Sequence, residues 1–256
     1  MFKLVLLLVL LPIGSYLLGN VNWAILISKF NKKDIRDMGS GNPGTLNMSR
    51  NFGLKIGLLT FFLDIMKGVI PVLVAYFVFR NMGYFPNTTF EVYHFAIYLC
   101  GFCAVIGHIY PVFLKFKGGK GIASTIGVLL STQGIQGWEW VLVAVMALIA
   151  ALVFIYLTEF GAMGSFIAIT PTAIGASIFL FLNYSSGNYA TIAFYLATNM
   201  IIFLILFFTW FAHRKNIERM LAGDEHPTSI KEMVIKMKMK KAQEKAKREA
   251  ENSNQN

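Results

Sequence analysis

Three polar segments of this chain carry the residue types, at the spacing, that bind phosphate-like anions and handle a proton. The first is Gly39-Ser40-Gly41-Asn42-Pro43-Gly44-Thr45-Leu46-Asn47-Met48-Ser49-Arg50, wedged between two apolar runs. Its glycines free the backbone to adopt φ > 0 and let N–H groups approach a ligand without a Cβ in the way. Ser40, Gly41, Asn42, Asn47 and Arg50 are the candidate anion ligands there. The second segment is Gly107-His108-Ile109-Tyr110-Pro111 followed by Lys115-Phe116-Lys117-Gly118-Gly119-Lys120-Gly121, in which Gly118, Gly119 and Gly121 present Lys120 and His108 stands upstream. The third begins His213-Arg214-Lys215-Asn216, where His213 and Asn216 are three apart and share a helix face. Together they offer cations and backbone N–H groups for phosphate, and an imidazole for a proton. Asp64 and Lys67, also three apart, sit inside an apolar run, where each charge costs roughly 3 kcal/mol on insertion scales. Such a pair either packs a helix bundle or serves function.

Several familiar motifs fail on context. Gly39-x-Gly41-x-x-Gly44 spells a dinucleotide fingerprint, and Asp64 falls twenty residues after its last glycine. That fingerprint needs a strand before it and an amphipathic helix after it, whereas here an apolar span precedes the loop and Asp64 lies within the next one. Gly118-Gly119-Lys120-Gly121 resembles a P-loop, but Leu114 stands where the first glycine belongs and Gly121 where Ser or Thr belongs. Cys100-Gly101-Phe102-Cys103 sits mid-span without a second ligand pair and reads as two small apolar residues. No His is followed at the right distance by Asp, since Glu218 stands five after His213, which argues against acyl-CoA enzymes built on that motif. No metal-ligand cluster and no cofactor site is expected.

The elements that position these segments are membrane helices. The 256-residue chain is 56% hydrophobic and 14% charged, where soluble domains carry about 25% charged residues. A span needs roughly 20 apolar residues, and seven stretches qualify or come close: 4–28, 54–79, 92–115, 120–133, 139–158, 161–182 and 189–212. The fourth is short for a full crossing. Charge asymmetry supports seven: Lys29, Lys32, Lys33, Arg36, Arg50, Lys55, Lys115, Lys117 and Lys120, with the eleven Lys and Arg after residue 213, then share one face. Only Lys3 and Arg80 fall on the other, and loops 133–138 and 183–188 hold neither Lys nor Arg. The positive-inside rule therefore places the N-terminus outside and the C-terminus on the cytoplasmic side, together with all three polar segments. The net charge of +10 is concentrated this way rather than spread as a nucleic-acid surface. Residues 1–223 are expected to form the membrane domain and 224–256 a basic tail. In the tail, Ser229 and Glu232 make a capping box for an amphipathic helix over about 229–241 that would lie on anionic lipid, and residues beyond about 242 read as disordered.

Taken in order, Gly-Ser-Gly-Asn-Pro-Gly at 39–44 with Asn47 and Arg50, Asp64-x-x-Lys67-Gly68, the Gly107-His108 to Gly-Gly-Lys-Gly block at 107–121, and His213-x-x-Asn216-Ile217 resemble the bacterial acyl-phosphate:glycerol-3-phosphate acyltransferases of the PlsY type. The resemblance implies a seven-helix integral enzyme. It would transfer a fatty acyl group from acyl phosphate to the sn-1 hydroxyl of glycerol 3-phosphate, giving lysophosphatidic acid and phosphate, the first step of phospholipid synthesis. It implies an active-site serine at Ser40, phosphate ligands at Arg50 and Lys120, and a final His and Asn at His213 and Asn216. Members commonly read Gly-Ala-Thr-Asn where this chain has Gly44-Thr45-Leu46-Asn47, which leaves room for a paralogue acylating another acceptor. Because an acyl phosphate is already activated, the enzyme need only hold two anions together, stabilise the leaving phosphate and manage one hydroxyl proton. His213 or a phosphate oxygen of the substrate is the base. A transporter for a small phosphorylated anion is the competing class, and would call for two similar halves, which the chain does not show.

Overall fold

The computed structural model describes residues 2–183, 189–225 and 227–229, with residues 235, 238, 239, 242 and 243 of the tail. Among them the architecture is all-helical apart from an isolated bridge between Tyr84 and Glu91. The helices are α1 (Phe2–Gly19), α2 (Trp23–Phe30), α3 (Thr45–Phe52), α4 (Leu54–Phe79), α5 (Val92–Ile109), α6 (Ile122–Gln136), α7 (Trp138–Thr158), α8 (Gly161–Leu182), α9 (Tyr189–Ala212) and α10 (Arg214–Ala222).

Among the described residues six stretches are long and apolar enough to cross a membrane: Phe2–Phe30, Leu54–Phe79, Val92–Leu114, Trp138–Thr158, Gly161–Leu182 and Thr191–Ala212. This is a multi-pass membrane protein. The seventh expected span is α6, whose 15 residues reach only about 22 Å, short of a hydrocarbon core of about 30 Å. Its composition is explained by its neighbours. It packs against α4, α5, α7, α8 and α9, so its polar side chains meet protein rather than lipid. Ser124 donates to Asp64 O of α4 (3.1 Å), Thr125 pairs with Thr209 of α9 (3.0 Å), and Gln133 Nε2 donates to Thr172 O of α8 (2.7 Å).

The first stretch is not one continuous helix. It breaks at Asn20–Asn22, and Asn22 caps α2 by accepting from Ile25 N at 3.0 Å. Helix pairs that meet backbone to backbone do so through glycine. A Cβ on Gly68 of α4 would run into Ser124 O of α6, and one on Gly127 of α6 into Ile65 O of α4. Gly19 and Gly107 play the same part between α1 and α5. Without a hydrophobic drive inside lipid, such close approach of small residues is what brings helices together.

The ends of α1, α5, α7 and α9 and the starts of α4, α6 and α8 gather at one end of the bundle. Lys67 bonds to Val21, Lys120 to Asn216 and Thr228 to the α7–α8 turn. At the opposite end Thr89, before α5, donates its N–H to Thr191 at the start of α9 (3.2 Å). The start of α1 and α10 therefore lie at opposite ends of the bundle. Glu225, Pro227 and Thr228 pack back against the bundle. Most of the tail helix and of the polar segment beyond about 242 lies outside the described residues.

Candidate active site

Gly39 and Gly41 adopt φ of +56° and +68°, the left-handed region where a Cβ is strained, and so bend the first loop into a turn. Asn47, buried in α3, holds that turn. Its Nδ2 donates to Ile35 O (3.2 Å) and Met38 O (2.9 Å), and its Oδ1 accepts from Ser40 N (3.2 Å) and Asn51 Nδ2 (3.0 Å). With both amide protons spent on the chain, Asn47 organises the loop and has none left for a ligand. Ser40 is exposed, while Gly41 and Asn42 are partly buried. Leu46, where the family's usual pattern is interrupted, is 40% exposed on the first turn of α3.

The second loop hangs from the end of α5. Gly119 N donates to His108 O (3.1 Å) and Gly118 N to Ile109 O (3.2 Å). A Cβ on Gly119 would overlap the His108 imidazole, and one on Gly118 would overlap His108 O, so glycine is required for the loop to lie this close. Gly121, at φ +84°, then turns the chain into α6. The result projects Lys120 across to α10, where its ammonium donates to Asn216 Oδ1. His108 itself is buried beneath the loop, facing Lys67 rather than the mouth of the site.

The third segment caps the bundle. His213 terminates α9 and is buried with its ring edge-on to Phe166, which stacks on Trp210. Its Nδ1 lies 2.8 Å from Thr209 O. A carbonyl only accepts, so Nδ1 carries the proton and Nε2 presents a lone pair. Burial, reinforced by Lys120, pushes the imidazole down to about 4 and keeps it neutral at neutral pH. Burial likewise pushes the Lys120 ammonium down to about 8; Glu225 opposes that shift, and Arg219 and Arg50 add to it.

Two members of this cluster were not among the expected site residues. Glu225 accepts from Asn216 Nδ2 (2.6 Å) and Arg219 Nε (3.0 Å), so it fixes the amide orientation that offers Oδ1 to Lys120. Beyond it, Arg50 donates to Pro227 O (3.0 Å), and Thr228 N donates to Glu159 O (2.7 Å) while packing on Gly161. Glu225, Pro227 and Thr228 thus strap the first and third segments together. Three cations, Lys120, Arg219 and Arg50, surround one carboxylate, and the surplus is positive.

A positively charged cluster at one end of a membrane bundle is the setting in which relatives are informative. The family model for glycerol-3-phosphate acyltransferase matches residues 9–223. The chain belongs to this family. It is 35% identical to the glycerol-3-phosphate acyltransferase of Mycoplasmopsis pulmonis over 88% of its length and 94% of the relative's. It is 34% identical to that of Aquifex aeolicus over 84% and 96% respectively. Two crystal structures of the integral membrane glycerol 3-phosphate acyltransferase PlsY (YgiH) superimpose on it. The glycerol 3-phosphate form matches at TM-score 0.67 and 29% identity, and the lysophosphatidic acid form at 0.65 and 28%, each over 89% of this chain and 98% of the other. Family membership decides between acyl transfer and anion transport in favour of acyl transfer, and the protein is an enzyme.

The structure brings Arg50, Lys120, His213 and Asn216 of the acyltransferase into one cluster. It places Ser40, Gly41 and Asn42 on the neighbouring loop, and makes Asn47 and His108 internal supports of the two glycine loops. Nothing in the residue order announced Glu225, which lies just past the matched family region; its one visible signal was an acid two residues after Gly223, where α10 ends.

Proposed function

We propose that the site joins acyl phosphate to glycerol 3-phosphate on the cytoplasmic face of a bacterial plasma membrane, with the N-terminus outside. The carrying observation is the Lys120–Asn216 bond beside a neutral His213, inside a net positive cluster at one end of the bundle. The PlsY structures in glycerol 3-phosphate and lysophosphatidic acid forms support glycerol 3-phosphate as acceptor and lysophosphatidic acid as product. Lys120, Arg50 and the N–H groups around Gly118–Gly121 and Gly39–Gly41 suit the two phosphates, and Ser40 offers a hydroxyl at the mouth.

In the step itself, the sn-1 oxygen attacks the acyl carbon, the bond from that carbon to the phosphate oxygen breaks, and inorganic phosphate leaves with the electron pair. Lys120 lies where charge grows on the leaving group. The hydroxyl proton must go to a base. At about 4, His213 is weaker than a phosphate monoester, whose second pKa is about 6. The balance favours a phosphate oxygen as the final acceptor, with His213 Nε2 accepting the hydroxyl's hydrogen bond and aligning it. The anionic lipid surface is the partner expected for the basic tail, and no metal or cofactor enters the step.

Purified protein in lipid, given palmitoyl phosphate and glycerol 3-phosphate, should release phosphate and form lysophosphatidic acid. Absence of both products from folded protein refutes the reading. Lys120→Ala and Arg50→Ala should each lower kcat/KM by roughly ten- to a hundred-fold or more while leaving the thermal unfolding midpoint near that of the wild type, and wild-type rates in both would mean the phosphates bind elsewhere.

A further inference from the structure

Asp64, Lys67 and His108 form a buried polar cluster that the chemistry above does not use. Lys67 Nζ lies 2.8 Å from Asp64 Oδ1, 2.7 Å from Val21 O and 2.8 Å from His108 Nδ1. Asp64 and His108 are 3.8 Å apart, with the ammonium between them. All three side chains are buried.

We propose that the Asp64–Lys67 pair is a positioning device for the phosphate loop, acting through His108 by fixing the tautomer and tilt of its ring. This rests on the reading that Gly118–Gly121 and Lys120 hold a substrate phosphate. An ammonium has three protons and no lone pair, so His108 Nδ1 must accept from it. Nδ1 is then unprotonated, and Nε2 carries the hydrogen. The Nε2 edge is the one against Gly119, since a Cβ there would overlap that atom. The backbone that His108 supports by its own carbonyl is the same loop, through Gly119 N at 3.1 Å. The ring therefore forms the floor of the turn that projects Lys120, and Lys67 sets which face of that floor is a donor.

A pair that only neutralised charge would need no contact beyond its own helix. This one reaches the end of α5 and the break between α1 and α2, where Val21 O has lost its helical partner. Three elements that meet at the site are tied to one nitrogen. Asp64 keeps that nitrogen charged and aimed, and a neutral or displaced Lys67 would free His108 to take the other tautomer.

The discriminating variant removes both charges together, Asp64→Leu with Lys67→Met, because joint replacement of a buried pair by apolar residues is tolerated far better than loss of one partner. Unfolding midpoint, kcat and the KM of each phosphate substrate are read in the same lipid, with the ¹⁵N shifts of His108, assigned by His108→Gln, reporting its tautomer. The expected result is near-wild-type unfolding, a rise of about ten-fold in KM for one phosphate substrate, the size of one lost hydrogen bond of ordinary strength, and loss of the Nε2–H signature. Wild-type KM values for both substrates with that signature unchanged overturn the proposal. Should the double variant fail to fold, His108→Gln, which keeps an N–H near Nε2, is compared with His108→Leu, which does not. Near-wild-type KM in Gln with a raised KM in Leu supports the device, and equal values refute it. Wild-type protein that yields no lysophosphatidic acid refutes the proposed function instead, and the tautomer measurement still stands as a test of the cluster.

Discussion

If Lys120 holds a substrate phosphate as proposed, raising pH should detach that substrate well before an ordinary lysine would lose its charge. Burial has pushed this ammonium down to about 8, with Arg219 and Arg50 assisting and Glu225 resisting. The folded group is charged below that value and neutral above it, so binding that depends on the charge is present at neutral pH and lost as pH climbs through about 8. With that midpoint the charged fraction falls about ten-fold between about pH 7 and pH 9, since each unit of pH beyond the pKa is a tenfold change. The KM of the substrate in contact should rise by about the same factor. A charged hydrogen bond to phosphate is worth about 1.5–3 kcal/mol, so complete loss of the group in Lys120→Ala should cost roughly ten- to a hundred-fold or more in kcat/KM at neutral pH. Bound phosphate favours the ammonium, so the alkaline limb of kcat should sit at higher pH than that of kcat/KM. Lys120→Arg removes the titration, because a guanidinium stays charged above pH 12, and should flatten the limb even where its shape lowers the rate. The assay is phosphate release in mixed micelles across that pH range, with a second, pH-insensitive buffer ion to hold ionic strength constant. A wild-type profile that stays flat through about pH 9, or an Arg variant that keeps the same limb, refutes this account of Lys120.

Three further outcomes follow from the same geometry. Glu225→Gln keeps an acceptor for Arg219 Nε and removes the charge that resists the downward shift of Lys120, so the alkaline limb of kcat/KM should move to lower pH; a limb that stays or moves up counts against the strap's electrostatic role. His213→Gln should retain measurable turnover if the imidazole only aligns the hydroxyl, with a loss nearer ten-fold than the roughly 10²–10⁴-fold attached to general base catalysis, whereas equal loss in Gln and Ala variants would make His213 the base. Asn47→Ala empties an amide that makes three bonds to residues 35–40 and one to Asn51 of its own helix, leaving buried groups unpaired at roughly 1–3 kcal/mol each; a lowered unfolding midpoint with a raised KM is expected, and an unchanged midpoint would contradict its assignment as loop organiser.

How much of this was readable in the residue order depends on the distance over which each contact acts. Span limits were legible because hydropathy is local: Leu54–Phe79 and Gly161–Leu182 fall where the apolar runs begin and end. The α6 segment was harder, since a helix wrapped by five others can carry Ser124, Thr125 and Gln133, and its polarity reports neighbours that no local window contains. Arg50, Lys120, His213 and Asn216 were identifiable by type and by their company of glycines. Their division of labour with Asn47 and His108 was not, because both of these are as polar as a ligand would be and differ only in where their protons go. Glu225 is the sharpest case. A charge run after the last span reads as solvated tail, yet this carboxylate is bonded to two side chains of α10 and held nearly out of solvent. What distinguishes it is the αL turn at Gly223, φ +77°, which ends α10 and sends the chain back over the site instead of onward along the membrane. A basic pocket that must also release phosphate gains from such an internal acid. It offsets part of the repulsion among Lys120, Arg219 and Arg50, and by resisting the downward shift of Lys120 it helps to keep that ammonium charged at neutral pH.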